Sequence, residues 1–314
     1  MLKIVMLERN NVGDDFEMPD FGRFGELTVY GYCTPAQVPE RVRDADICIM
    51  NKMPMNESTL KDAKNLKLIC VTATGMDIVD LDYCKSRGIK VCNVSGYSTE
   101  TVVQHTFAML FYLYEKLPLY DRYVKGGSYK DCATFTFFDY SFGELKGKTW
   151  GIAGLGTIGH RVAEVAKAFG LNVIYYSTSG IERTEPYERV SFDELLKRSD
   201  IISVHAPLNE NTRGLFDREA FMKMKKSAIF LNLGRGPIVK EEDLAWALSN
   251  KEIAGAGLDV LSKEPIDPAN PLNAVMDNEN LLITPHIAWA SREARKRLMD
   301  AIYVHVETFV NELK

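Results

Sequence analysis

Short apolar runs alternate with polar, helix-like stretches along the whole chain. In the first third the strand candidates are LKIVML at 2–7, LTVYG at 27–31, ADICIMN at 45–51, LKLICVTAT at 66–74 and IKVCNV at 89–94. Polar stretches such as PAQVPERVRD and NESTLKDAKN separate them. Strands that alternate with helices predict a parallel sheet covered on both faces. A long helix is predicted from about Thr99 to Tyr114. A loop-like stretch follows at 118–147, with Gly126-Gly127 and the aromatic run TFTFFDYSF. A second alternating series spans 149–284: KTWGIAG, LNVIYYS, DIISVHAP, SAIFLNLG, GAGLDV and LLITP. A last helix is predicted from near Ser291 toward the C-terminus.

The start of the second series carries TWGIAGLGTIG at 149–159, with a GxGxxG core at Gly154, Gly156 and Gly159. Alone the motif is weak, but an apolar strand precedes it and HRVAEVAKAFG follows. Ile158, Val162, Val165, Ala166 and Phe169 recur at helical spacing and form one apolar face. The glycine roles then follow. Gly154 permits the tight turn, Gly156 lets a pyrophosphate approach the backbone, and Gly159 lets helix and strand pack closely. The phosphates would meet free N–H groups at the helix N-terminus. Six strands with their helices make a complete dinucleotide-binding domain. The expected fold is therefore α/β, with two doubly wound parallel-sheet domains. Residues 98–286 form the larger, a Rossmann dinucleotide-binding domain, inserted in a smaller substrate domain of residues 1–97 and 287–314.

One element of this unit is missing. An acid is expected about 20 residues on, at the end of the second strand, to hold the ribose hydroxyls. VIYYSTSG at 173–180 ends there in Ser177, Thr178 and Ser179 instead, and Glu182 and Arg183 lie further along. Hydroxyls and loop N–H groups can tolerate a 2′-phosphate that a carboxylate would repel. The cofactor is thus NAD or NADP, with NADP at least tolerated; alternatively, Ser177 or Thr178 binds the ribose of NAD without a charge.

Composition narrows the partners. The chain has 314 residues, 46% hydrophobic and 26% charged, with a net charge of −5. Acids and bases are mixed, which argues against nucleic acid. No apolar run approaches the roughly 20 residues that span a bilayer, and MLKIVMLERN is too short for a signal peptide. The six cysteines form no CxxC and read as reduced packing thiols, which implies a cytoplasmic setting. The five histidines lack metal-ligand spacing, so no metal site is expected.

Ionisable residues gather at strand ends. Arg235 follows the strand at 227–233, Asp259 ends a strand, Glu264 sits in the loop beyond, and His286 follows the strand at 281–284. In an open α/β sheet, ligands bind beyond the carboxyl ends of the strands. The chemistry suits reduction of a 2-keto acid. It needs a hydride donor, a proton donor for the forming alkoxide and a cation for the carboxylate. Histidine, with an unperturbed pKa of about 6.5, gives and takes a proton near neutrality. A partner carboxylate favours the imidazolium and fixes the ring. Arginine binds a carboxylate through a planar fork.

These stretches together resemble the D-isomer-specific 2-hydroxyacid dehydrogenases. The resemblance is carried by GLGTIG, HAPLNENTRGL (205–215), FLNLGRGPIVKEEDLAWAL (230–248), AGAGLDVLSKEP (254–265) and PHIAWAS (285–291). It implies an Arg–Glu–His catalytic set at Arg235, Glu264 and His286. It also implies that backbone N–H groups near Thr74 and Gly75 hold the substrate carboxylate. Pro207, Thr212, Gly234 and Asp259 would line the cofactor site. Thr101, Thr157, Ile158, Ala206 and Leu233 belong with them. The family further implies a homodimer built through the helix from Thr99, and a cleft that closes to exclude water. Gln104, where most members carry an acid, resembles the glycerate dehydrogenase (hydroxypyruvate reductase) branch, as do NKMP at 51–54 and PHIAWAS. Trp289 could close over a small substrate or pack at the domain junction. Lys52 could approach the substrate or stay solvated. Hydroxypyruvate or glyoxylate is the favoured substrate. D-lactate-type or branched-chain 2-keto acid reductases stay open, and so does a corepressor-like nucleotide sensor.

Overall fold

A computed structural model describes residues 1–181 and 184–313, so Glu182 and Arg183 lie outside the described residues. The chain divides into two compact units, Met1–Ser98 with Trp289–Lys314, and Thr99–Ala288. The sequence reading put the divisions at 97/98 and 286/287. Thr99 instead opens a helix of the larger unit. Ile287 and Ala288 stay with that unit because their N–H groups bind its Asp259.

The smaller unit is built on β1 (Leu2–Met6), β2 (Gly25–Val29), β3 (Ile47–Met50), β4 (Leu68–Val71) and β5 (Lys90–Cys92). All pair in parallel, in the order β2-β1-β3-β4-β5. Strands buried on both faces read as unbroken apolar runs, as ICIM and LICV do. Successive side chains still alternate faces. Ile47, Ile49, Leu68 and Cys70 pack under the helix Arg292–Glu312, against Leu298, Ile302 and Val306. Cys48, Met50, Ile69 and Val71 enter the opposite core with Val38, Leu60 and Cys84. Burial raises the Cys48 and Cys70 thiols well above their ordinary range, which keeps them protonated. Cys33, Cys92 and Cys132 are only partly buried, and all six cysteines are free. The packing reading of the thiols thus holds fully for three of them.

The larger unit holds β6 (Thr149–Ala153), β7 (Asn172–Tyr176), β8 (Glu188–Arg189), β9 (Ile201–Val204), β10 (Ile229–Asn232), β11 (Gly255–Leu258) and β12 (Leu281–Ile283). They form a seven-stranded parallel sheet in the order β12-β11-β10-β9-β6-β7-β8. The sequence reading counted six. It missed β8, an edge pair of two charged residues with no apolar signal. The stretch 118–147 is also less loop-like than expected, since Leu117–Lys125 is helical. Pro118 lies in the first turn of that helix, where proline is tolerated. The helix Thr99–Tyr114 falls where the periodicity puts it. It buries Val102, Val103, Phe107 and Leu110 in a core with Trp150 and Leu231. Phe169 departs from the expected apolar face. It caps the helix Thr157–Ala168, is 45% exposed, and stacks on Phe107.

The chain leaves β6 for β7 on one side and later returns to β9 on the other. That change of direction opens a crevice at the carboxyl ends of β6 and β9. The turn out of β6 depends on Gly154, whose φ is +95°. A Cβ on Gly159 would stand 2.4 Å from the Gly154 carbonyl oxygen. Gly159→Ala should therefore destabilise the protein by about 2 kcal/mol through overpacking. A urea midpoint equal to that of the unsubstituted protein would contradict this packing.

Candidate active site

The crevice beside the glycine loop is a cleft of about 190 Å³. Gly154 and Gly156 line it with Ser177, Thr178 and Ser179 from the end of β7, and with His205 and Pro207 from the end of β9. Gly156 is the N-cap of the helix Thr157–Ala168, and no described side chain caps that end. A Cβ at Gly156 would meet no protein atom within 4 Å, so its surface is open toward the cleft. A bare helix N-terminus behind a glycine wall suits a pyrophosphate. Ile158 and Gly159 follow in the same first turn, Ile158 partly buried and Gly159 buried. The Ser177 and Ser179 hydroxyls are 3.5 Å apart and bond the backbone of Ile181, which shapes their own loop.

Three adjacent strands deliver the ionisable residues. The register sets Asn232 of β10 beside Leu258 of β11, and Leu258 beside Ile283 of β12. Arg235, Asp259 and His286 therefore leave neighbouring strand ends. The buried Asn232 shapes the arginine turn. Its Nδ2 donates to the Arg235 carbonyl at 3.0 Å, and its Oδ1 accepts from the Gly234 N–H at 3.1 Å. Arg235 is partly buried, and its Nη1 donates to the Gly234 carbonyl.

His286 Nδ1 lies 2.7 Å from Glu264 Oε2. The other Glu264 oxygen accepts from the Leu261 N–H at 3.0 Å, so the carboxylate is held from both sides. Both side chains are only partly exposed, 24% for His286 and 30% for Glu264. His286 has φ +55°, a left-handed conformation that costs a non-glycine residue about 1–2 kcal/mol. Asp259 holds it there. Its Oδ1 accepts from Thr284 Oγ1 at 2.6 Å and from the Ile287 N–H at 2.9 Å, and its Oδ2 accepts from the Ala288 N–H at 2.9 Å. His105 Nε2 reaches Thr284 Oγ1 at 3.0 Å and completes the brace. A carboxylate-bound imidazole can hold and hand over a proton, with a guanidinium two strands away in the same rim.

Residues 107–288 match the model of the family described as D-isomer specific 2-hydroxyacid dehydrogenase, NAD binding domain. A hydroxypyruvate reductase of Blautia hydrogenotrophica is 37% identical over 98% of this chain and 97% of its own. The chain belongs to the D-isomer-specific 2-hydroxyacid dehydrogenase family. The D-lactate dehydrogenase of Aquifex aeolicus, solved with NAD and lactic acid, superposes with a TM-score of 0.84 at 28% identity, covering 99% of this chain and 96% of that one. An NADPH-dependent glyoxylate/hydroxypyruvate reductase of Sinorhizobium meliloti, solved with NADP and malonate, gives a TM-score of 0.80 at 25% identity, covering 96% and 91%. The dehydrogenase is thus an oxidoreductase of CH–OH donors with a nicotinamide cofactor.

Several expected cofactor residues have structural tasks of their own. Asp259 is 2% exposed, and both its oxygens are taken by the loop that carries His286. Thr212 is fully buried and donates to the Pro207 carbonyl at 2.7 Å, which ties down the loop after β9. Ala206, Leu233 and Gly234 are buried at strand ends, and Thr101 and Thr157 sit in first helical turns. In the smaller unit, Thr74 Oγ1 donates to the Val94 carbonyl at 2.9 Å, and Gly75 follows it, partly buried. The Lys52 N–H donates to the buried Glu8 carboxylate at 2.9 Å, and the Lys52 side chain is exposed. Trp289 packs edge-on to Tyr97 at 6.2 Å within that unit's core.

Sequence reasoning missed Glu8, His105, Asn232 and His205, because position alone gave them no partner. His205 lines the cleft beside the glycine loop, with a buried Nδ1 that has no partner among the described residues. Desolvation lowers its pKa to about 3. The folded protein thus keeps it neutral, while the unfolded chain protonates it near pH 6.5. Stability is fully present above that value and falls as pH drops toward 3. At pH 5 the loss from this residue should be about 2 kcal/mol. His205→Gln should flatten the fall in Tm between pH 7.5 and 5; an unchanged slope would show that His205 does not carry it.

Proposed function

We propose that this dehydrogenase reduces a small 2-keto acid, hydroxypyruvate or glyoxylate, to the D-2-hydroxy acid. The observation that carries the mechanism is the 2.7 Å contact between His286 and Glu264 on a braced loop. Glu264 occupies Nδ1, which leaves Nε2 as the proton donor to the substrate oxygen. Arg235 holds the substrate carboxylate through its fork. Lys52, Thr74, Gly75 and Trp289 are the proposed substrate contacts of the smaller unit. The glycine loop, with Gly154, Gly156 and Gly159, and the Ser177–Ser179 turn would hold the dinucleotide. When bound, its reduced nicotinamide supplies the hydride. Both NADH and NADPH are accepted in this reading, supported by the strand-end hydroxyls and by relatives solved with NAD and with NADP.

The choice of substrate rests on the full-length similarity to a hydroxypyruvate reductase and, at 37% identity over 98% of this chain, to a glycerate dehydrogenase of Methylorubrum extorquens. A homodimer is part of the proposal. Exposed Phe135, Phe138 and Phe142, at 89%, 80% and 57%, support it, since rings left this open favour a partner surface. A cytoplasmic setting fits the free thiols.

His286→Ala should cut turnover at least about a hundredfold, with NADH affinity kept within a few fold. Near-normal turnover would remove the mechanism. A panel of 2-keto acids assayed with NADH and NADPH tests the substrate. Preference for glyoxylate and hydroxypyruvate supports the proposal, and activity confined to lactate-type or bulky keto acids refutes it.

A further inference from the structure

The β7 strand end lacks an acid, yet the cleft does not. Glu185, from the loop between β7 and β8, lines the same cleft as Gly156 and Ser177–Ser179. Its carboxylate is 11% exposed, and its Oε2 lies 2.9 Å from His160 Nε2. His160 sits in the first turns of the helix Thr157–Ala168, beside the Tyr187 ring. We propose that Glu185 reads the 2′ position of the cofactor's adenosine ribose in place of the strand-end acid, and that His160 positions it. The proposal rests on the reading of this cleft as the dinucleotide site.

The physical case has three parts. A carboxylate accepts hydrogen bonds from ribose hydroxyls. It repels a 2′-phosphate, which carries a charge of about −1.5 to −2. Partial desolvation strengthens that repulsion relative to water. Two of the three strand-end hydroxyls and the nearby Arg189 are otherwise engaged. Ser177 and Ser179 bond each other and Ile181. Arg189 donates to the Gly180 and Ile181 carbonyls rather than lining the cleft. No Lys or Arg is among the described lining residues to attract a phosphate. NADPH is then accepted, but NADH binds more tightly.

Binding of NADH and NADPH to the full chain, followed by fluorescence titration, tests this without turnover. Unsubstituted protein should bind NADH about tenfold more tightly than NADPH. Glu185→Gln should bring the two dissociation constants to within about twofold, chiefly by improving NADPH. Glu185→Asp, which keeps the charge, should retain most of the preference. His160→Gln should preserve it and His160→Leu should weaken it. An unchanged ratio in Glu185→Gln, or Glu185→Asp behaving like Glu185→Gln, would overturn the role of Glu185 and leave the dinucleotide site standing. So would unsubstituted protein that binds NADPH as tightly as NADH. Binding of neither dinucleotide would overturn the parent reading as well.

Discussion

The chemistry proposed for this dehydrogenase hangs on one buried carboxylate. Asp259 gathers the side chain of Thr284 and the N–H groups of Ile287 and Ala288, and so fixes both ends of the turn that carries His286. That turn places His286 in a left-handed conformation. Strain of this kind persists only where the surroundings over-determine it. Here the surroundings are a carboxylate at the end of β11 and the His105–Thr284 contact from the helix Thr99–Tyr114. The same helix packs beneath the sheet through Phe107 and Leu110. Site geometry and core packing are therefore one problem.

The parallel sheet makes such convergence possible. A parallel register carries neighbouring strand ends to one edge, so residues far apart in sequence meet without long loops. Arg235, Asp259 and His286 reach that edge from β10, β11 and β12. The cleft beside β6 forms by the same rule at the point where the strand order reverses.

Features governed by local rules were legible in the sequence. The helix Thr99–Tyr114 and the strands buried on both faces announce themselves by period and by unbroken apolar runs. The glycine loop is equally plain, because strand, turn and helix each leave a signal. Features set by contacts were not. β8 is two charged residues made a strand only by pairing with β7. The bracing of the His286 turn by Asp259 was hidden, because its position names the rim and not the direction of its oxygens. Glu185 escaped because the ribose acid is sought at the strand end, whereas a later loop folds back to supply a carboxylate. Burial of His205 depends on the whole neighbourhood and has no motif.

The glycine loop also separates two pressures that usually act together. Gly159 is demanded by the fold, since a methyl group there collides with backbone. Gly156 is not, since the protein leaves that space open. Selection for an abundant, folded chain would hold residue 159 and let residue 156 drift toward alanine. Only selection for what enters the cleft would keep glycine at 156, so variation at that position records ligand history and not folding history.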